Sequence, residues 1–365
     1  MKKLTLKQAA EDCHGTLAPE QAEAVVTGVQ IDSRRVKPGD LFIAIKGEKV
    51  DGHDFIDMAA GLGASAALVE RPVRASIPTI LVPDTVRAYG DLAAARRERM
   101  GITVIGITGS VGKTTTKEMT ACMLEHTYHT ARTEGNHNNN IGLPMTILDM
   151  PDDTETAVLE LGMNHFGEMA RLTSIAKPDI AVITNIGTMH IEYLGTQQGI
   201  RQAKLEVLEG MTPQGMLLLN GDDTLLRCLD MTPKQRITYF GCSEGCDVRA
   251  LDVSQADSVL RFRGEAGRLT FPVEMKLEGE HYVADALAAV TVGLKLGVTP
   301  EHIRKALDEF QNMSGRQEIF EAKGCTIIND CYNAGPESMA AALNVLGNRP
   351  GRHLAVLGEM LELGD

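Results

Sequence analysis

No stretch of this 365-residue chain approaches the roughly 18 consecutive apolar residues that a membrane helix needs, so a membrane span is excluded. A secretory signal is missing too: Met1-Lys-Lys-Leu-Thr-Leu runs straight into Lys7-Gln-Ala-Ala-Glu-Asp without an apolar core. The expected location is therefore cytoplasmic. Positive charge is in deficit, with 36 Lys and Arg against 49 Asp and Glu and a formal charge of -13. A nucleic-acid backbone would be repelled by that far field, so nucleic-acid binding is excluded, while a local cationic cluster for a small anion is not. The seven cysteines are odd in number and scattered. Cys242 and Cys246 have no second Cys or His pair at zinc-like spacing, which leaves free thiols in a reducing compartment. No repeat and no low-complexity segment appears, and the absence of an evident exposed apolar stripe points to a monomer.

What is present is α/β patterning in three blocks. Residues 1–83 carry short strand candidates at 28–31, 40–45, 66–69 and 79–82 around a helical stretch at 54–60, a small N-terminal α/β domain. Residues 84–313 form a central domain that opens with a charged helical connector at 84–100. A β-branched apolar run at 102–108 and further buried strands at 157–161, 179–184 and 216–219 alternate with helices, the pattern of a parallel sheet covered on both faces. Residues 237–276 alternate instead, with strands expected at 236–240, 258–263 and 268–273, an antiparallel annex. Residues 314–365 read strand (326–329), helix (337–346), strand (353–357), the start of a Rossmann-like C-terminal domain. About 50 residues is meagre for a domain, so this block is expected to be incomplete.

The central block holds Gly106-Ile-Thr-Gly-Ser-Val-Gly-Lys-Thr-Thr-Thr116 between a strand and a helix. A strict phosphate-binding loop places glycine where Ile107 stands. A tighter turn over Thr108, Gly109, Ser110, Val111 and Gly112 removes the conflict. Backbone N–H groups would then face a phosphate at a helix N-terminus, with Lys113 reaching the terminal phosphates and the Thr114 hydroxyl, followed by Thr115, able to meet Mg²⁺. Glu160 ends an apolar strand, where a carboxylate is costly unless it ligates a cation or is paired, and both readings stay open. His190 follows another buried strand, as a loop histidine or as a ligand. Lys204 lies on a helix, where lysine is ordinarily solvated. Asn138 and Asn139 sit in a polar run before Pro144, and Ser33 and Arg34 in Asp32-Ser-Arg-Arg35 offer a grip on an anion. Asp330 ends a strand of the third block, where a doubly wound sheet presents a carboxylate to a ribose.

Taken in order, these motifs resemble the Mur ligases over the whole chain. Thr108-Gly-Ser-Val-Gly-Lys-Thr114 is similar to that family's own phosphate loop. Asp32-Ser-Arg34 and Asp51-Gly-His-Asp-Phe55 resemble the nucleotide-sugar domain that two branches of the family share, while Asn136 to Pro144, Tyr332-Asn-Ala-Gly-Pro-Glu-Ser-Met339 and Gly358-Glu-Met-Leu-Glu-Leu-Gly364 resemble the branch that adds D-alanyl-D-alanine to a UDP-N-acetylmuramoyl-tripeptide. The sister branch, which adds the third amino acid, would show threonines before the proline. The resemblance implies an ATP-dependent amide ligase of peptidoglycan precursor synthesis that works through an acyl phosphate. It implies a UDP-sugar site in residues 1–83, with Ser33, Arg34, Asn138 and Asn139 on the substrate. It further implies one Mg²⁺ at Thr114 and Glu160 and a second that His190 helps to hold, with Lys204 carbamoylated to act as a carboxylate. Lys113, His190, Lys204 and Arg316 would carry the chemistry, while Arg316, Asp330, Asn333, His281 and Asp285 would meet ATP. Tyr282 and Asp285 stand where the family commonly has asparagines, so adenine recognition at 285 is expected to differ. The short third block carries the expectation of weak ATP binding and poor or absent ligation. A non-catalytic nucleotide-sugar-binding fragment is the alternative. The absence of an N-K-x-D motif and of Asp-x-x-Gly at switch distance argues against the other alternative, a GTPase switch or a small-molecule kinase.

Overall fold

The computed structural model describes residues 3–229 and 231–364. The chain separates into two compact units. The first comprises Met1–Ile102, Thr133–Glu155 and Ser174–Ala176; the second comprises Thr103–Arg132, Thr156–Thr173 and Lys177–Asp365. No helix among the described residues is long and apolar enough to cross a membrane.

In the first unit, β1 (Leu4–Thr5) and β2 (Val25–Val26) pair antiparallel. Strands β3 (Gly28–Gln30), β4 (Asp40–Ile43), β5 (Ala66–Val69) and β6 (Thr79–Leu81) form a parallel sheet in sequence order. β4 and β5 are buried along their whole length, which is why they read as continuous apolar runs rather than as alternating ones. Phe42, Ala44 and Val69 meet Ile56 and Ala59 of the helix Ile56–Gly61 in one core. The expected connector is a helix, Thr85–Met100, capped by the Asp84 carboxylate at the Arg87 N–H (2.8 Å) and ended by Gly101 at φ 64°. It is built into this unit rather than strung beside it. The buried Arg96 guanidinium donates to the carbonyls of Ile147 (3.1 Å) and Met150 (2.5 Å), at the end of the helix Gly142–Asp149. Arg97 donates to the Ala176 carbonyl, and Arg99 grips Asp12 with two bonds of 2.9 and 2.8 Å.

The second unit is organised on a nine-stranded sheet of order β15-β14-β13-β12-β11-β10-β7-β9-β8. Its parallel part comprises β7 (Thr103–Thr108), β8 (Thr130–Arg132), β9 (Thr156–Glu160), β10 (Ile180–Ile183), β11 (Met216–Asn220) and β12 (Arg236–Gly241). Strands β13 (Val248–Ala256), β14 (Val259–Ala266) and β15 (Leu269–Met275) complete it as an antiparallel meander. Two details differ from the sequence reading. β12 pairs parallel with β11 and so closes the central sheet instead of opening the annex. β13, half polar and exposed toward its end, carries too little apolar signal to be seen beforehand. The helix Tyr282–Lys295 is buried nearly all round and packs with Lys113–Glu125 and Pro300–Glu309 on the sheet, as its apolar composition requires.

The third block lies within this second unit. β16 (Glu318–Ala322) and β17 (Cys325–Asn329) form an antiparallel hairpin, followed by the helix Pro336–Gly347. The strand expected at 326–329 and the helix expected at 337–346 are present, and β16, which the sequence reading did not include, precedes them and makes that strand one arm of a hairpin. Residues 353–357, read as a strand, have no regular structure, and Leu354 and Val356 are exposed.

Candidate functional site

The phosphate loop joins β7 to the helix Lys113–Glu125. Ile107 is fully buried inside β7, in register with Glu160 of β9 and Val182 of β10. Position 107 is therefore a core strand position, and the turn begins only after Thr108. Gly109 is obligatory because a Cβ there would lie 1.9 Å from Thr184 Oγ1. Gly112 takes φ 83° at the helix start, and a Cβ there would lie 2.4 Å from Asp285 Oδ1.

Asn185, just past β10, braces the loop from below. Its carbonyl accepts from the Ser110 N–H (3.1 Å), its Oδ1 from the Val111 N–H (2.9 Å), and its amide donates to the Val111 carbonyl (3.0 Å). The Lys113 ammonium donates to the carbonyls of Gly109 (2.8 Å) and Ser110 (3.2 Å), so it lies across the turn rather than away from it. Burial lowers its pKa, the Glu160 carboxylate opposes that shift, and Arg316 adds to it. Thr114 is buried, and the buried Thr108 Oγ1 has no hydrogen-bond partner among the described residues.

Three further residues of the same unit complete the arrangement. Glu160 is buried at the end of β9 beside the loop, close enough to act on Lys113. Lys204 is 2% exposed in the last turn of the helix Gln197–Leu205. Burial first, and the neighbouring Lys113 second, push its pKa well below the ordinary lysine value. No ion-pair partner reaches it among the described residues. His190 follows β10 at φ 67°, and its Nδ1 meets Glu362 Oε2. Its pKa is lowered by burial, with Glu362 opposing and Lys204 and Lys113 adding to the shift.

Asp285 is buried in the first turn of Tyr282–Lys295 and accepts from Thr116 Oγ1 at 2.9 Å. Burial raises its pKa to about 7, opposed by the Thr116 bond and by Arg316. Arg316 stacks its guanidinium over Tyr332, 4.2 Å from the ring centroid, and Asp330 Oδ1 accepts from the adjacent Gln317 N–H (3.1 Å). Asn333 is exposed, its Oδ1 accepting from the Ala334 N–H. The exposed His281 has its ring 4.1 Å from that of Tyr282.

The remaining expected residues belong to the first unit. Asp32 caps the turn Ser33–Arg35 and holds Arg34 with two bonds of 2.9 and 2.8 Å, leaving the Arg34 side chain 81% exposed. That pair, with the Arg34 N–H, brings Asp32 to about 2. Asn139 Oδ1 accepts from the N–H groups of Ile141 and Gly142 at the start of Gly142–Asp149. Asn138 is half-buried beside it, and the buried Oδ1 of Asn140 has no hydrogen-bond partner among the described residues. The sequence reading gave no role to Thr116, Asn185, Glu337 or Glu362. The two glutamates lie in stretches that carried the resemblance, but only the folded chain brings them beside the loop at 187–190.

Comparison with known proteins identifies the family. Three family models match: the Mur ligase family catalytic domain over residues 25–99, the Mur ligase middle domain over 107–293, and the Mur ligase glutamate ligase domain over 315–365. The UDP-N-acetylmuramoyl-tripeptide–D-alanyl-D-alanine ligase of Bacillus subtilis (strain 168) is 42% identical over 372 residues, covering 100% of this chain and 80% of its own. That of Escherichia coli (strain K12) is 36% identical, covering 100% and 81%. Among solved structures, MurF from Acinetobacter baumannii superposes with a TM-score of 0.95 at 36% identity, covering 100% of this chain and 81% of that one. A MurF ligase from Thermotoga maritima in complex with ADP gives 0.87 at 33% identity, covering 93% and 79%. Nothing in these matches supports the expectation of poor or absent ligation.

Proposed function

The chain belongs to the Mur ligase family, and from that premise we propose that it joins D-alanyl-D-alanine to UDP-N-acetylmuramoyl-tripeptide at the expense of ATP. The observation that carries this reading is the burial of Lys204 within reach of Lys113 and His190, with Glu160 in turn acting on Lys113 at the phosphate loop. A lysine there is costly as an ammonium and makes sense as a converted group.

A carboxylate is a poor electrophile. An oxygen of the tripeptide carboxylate attacks the γ-phosphorus of ATP, the bond to ADP breaks, and an acyl phosphate forms. The D-alanyl-D-alanine amine then attacks the acyl carbon, phosphate leaves with the C–O bonding pair, and the amine proton passes to solvent. The loop N–H groups and Lys113 hold the phosphates, and Arg316 supports them from the third block. We assign Asp330 and Asn333 to the ribose side and His281 to the base side. Asp285 serves the loop through Thr116. We assign Ser33, Arg34, Asn138 and Asn139 to the UDP-sugar; of the division 1–83, 84–313 and 314–365, we assign 1–83 to sugar binding together with the parts of 84–313 that fold into the first unit, the rest of 84–313 to ATP binding and 314–365 to ligation.

The residues fit Mg²⁺. Thr114, Glu160 and His190 offer two oxygen donors and an imidazole, yet no three His, Cys, Asp or Glu side chains cluster as a metal site among the described residues. A carbamate on Lys204 would add the missing anionic donor. Only the neutral amine adds CO₂, releasing one proton, and burial favours that form. Bound there, Mg²⁺ would offset charge between the carboxylate and the γ-phosphate. We place the reaction in the cytoplasm and assign a monomer.

The test is product analysis by mass spectrometry with the UDP-tripeptide, ATP and D-alanyl-D-alanine. Amide product, ADP and phosphate in equal amounts are expected. Lys204→Ala should lose nearly all turnover and regain part of it with small carboxylic acids. Nucleotide hydrolysis without amide product, or full activity in that variant, would overturn the reading.

A further inference from the structure

His190 and Glu362 lie 172 residues apart in the chain, yet their side chains meet, Nδ1 against Oε2. An ionised carboxylate can only accept, so the imidazole must carry its proton on Nδ1. The neutral ring then keeps Nε2 as its one lone-pair donor. Lys204 and Lys113 are the cations close enough to act on this ring.

Both partners are held in uncommon backbone. His190 has φ 67° and Glu362 φ 64°, the left-handed region that a glutamate seldom enters. The backbone ties them as well: the Glu192 N–H donates to the Glu362 carbonyl at 3.3 Å, and the N–H groups of Tyr193 and Leu194 donate to the His190 carbonyl. Two residues before the histidine, Glu337 Oε1 accepts from the N–H (2.7 Å) and the hydroxyl (3.0 Å) of Thr188. The segment 188–192 is thus held on both sides of the ring by residues of the third block, through the Glu337 carboxylate at Thr188 and the Glu362 backbone carbonyl at Glu192.

We infer that Glu362 is a positioning residue for His190, fixing the imidazole as its Nδ1–H tautomer and so committing Nε2 to whatever the ring binds. This rests on the proposed function for the identity of that ligand, a divalent cation. A carboxylate behind a ligating histidine sets the tautomer and raises the basicity of the other nitrogen. Glu337 holds the peptide and Glu362 holds the ring, so neither can replace the other.

The test uses the full chain without substrates, labelled with ¹⁵N in the imidazoles, the His190 signals being assigned by their loss in His190→Gln. At a pH where the ring is neutral, long-range ¹H–¹⁵N spectra should show Nδ1–H in the parent and in Glu362→Gln, whose amide oxygen still accepts. Glu362→Ala should lose that preference. Mn²⁺ binding followed by electron paramagnetic resonance should weaken about 10–100-fold in Glu362→Ala and stay close to the parent in Glu362→Gln. A parent ring protonated on Nε2, an unchanged tautomer in Glu362→Ala, or unchanged Mn²⁺ affinity in that variant would each overturn the inference. Neither readout involves turnover. A parent chain that makes no amide product would therefore count against the proposed function and leave this result standing.

Discussion

Asp285 is an acid kept where a charge is costly. Its carboxyl lies against Gly112, bonded to Thr116, and burial lifts its pKa to about 7 from an ordinary value near 4. Well below pH 4, both the folded and the unfolded chain hold the proton. Between about 4 and 7 the unfolded chain releases it while the folded chain keeps it, so the stability contributed by this site falls as pH rises and levels off above 7. Asp285→Asn keeps the shape and the acceptor without the charge. It should gain stability over the parent on the order of 2 kcal/mol at pH 8 and clearly less at pH 5, read from urea denaturation at the two pH values. A difference independent of pH would mean that Asp285 does not titrate in this range. Sequence could point to position 285 but not to this surrounding, because the partner Thr116 is 169 residues away. Lys204 teaches the same lesson more sharply. Helical spacing alone argues for a solvated lysine; what buries it is packing that no local pattern encodes. Ile107, in contrast, was legible as a strand residue from its β-branched neighbours, and β7 runs through it to Thr108.

At the scale of elements, the parallel strands were legible because burial on both faces writes continuous apolar runs. The losses came where a strand faces water. β13 is exposed along much of its length and no residue of β16 is fully buried, and residues 353–357 read as a strand without adopting one, since an apolar run specifies burial only if something packs over it. The helix Thr85–Met100 shows how an arginine can replace an apolar contact. Arg96 satisfies the last carbonyls of Gly142–Asp149 from a position that is 5% exposed. Arg96→Ala should therefore cost about 2–4 kcal/mol, because both acceptors stay buried and lose their donor. Chemical denaturation measures this, and a loss under about 0.5 kcal/mol would mean that water takes the place of the guanidinium.

At the scale of the whole molecule, the third block is attached to its unit by discrete polar ties. Arg349, just beyond the helix Pro336–Gly347, donates through Nε and a terminal nitrogen to the Glu278 carboxylate. Arg349→Ala should raise amide hydrogen exchange across Pro336–Gly347 about tenfold while leaving the sheet of β7 to β12 unchanged. Exchange that stays at the parent rate would show that the hairpin and the Thr188 contact suffice. Both units are discontinuous in sequence, so neither is finished when its first segment is. Arg96 waits for acceptors 51 and 54 residues further on. At roughly 5–20 residues per second of synthesis, that is a delay of roughly 3 to 10 s during which a guanidinium meant for the interior stays in water. The first 102 residues therefore cannot close their own interior as they emerge, and the step that seals them is timed by the chain that leaves, builds the phosphate loop, and returns.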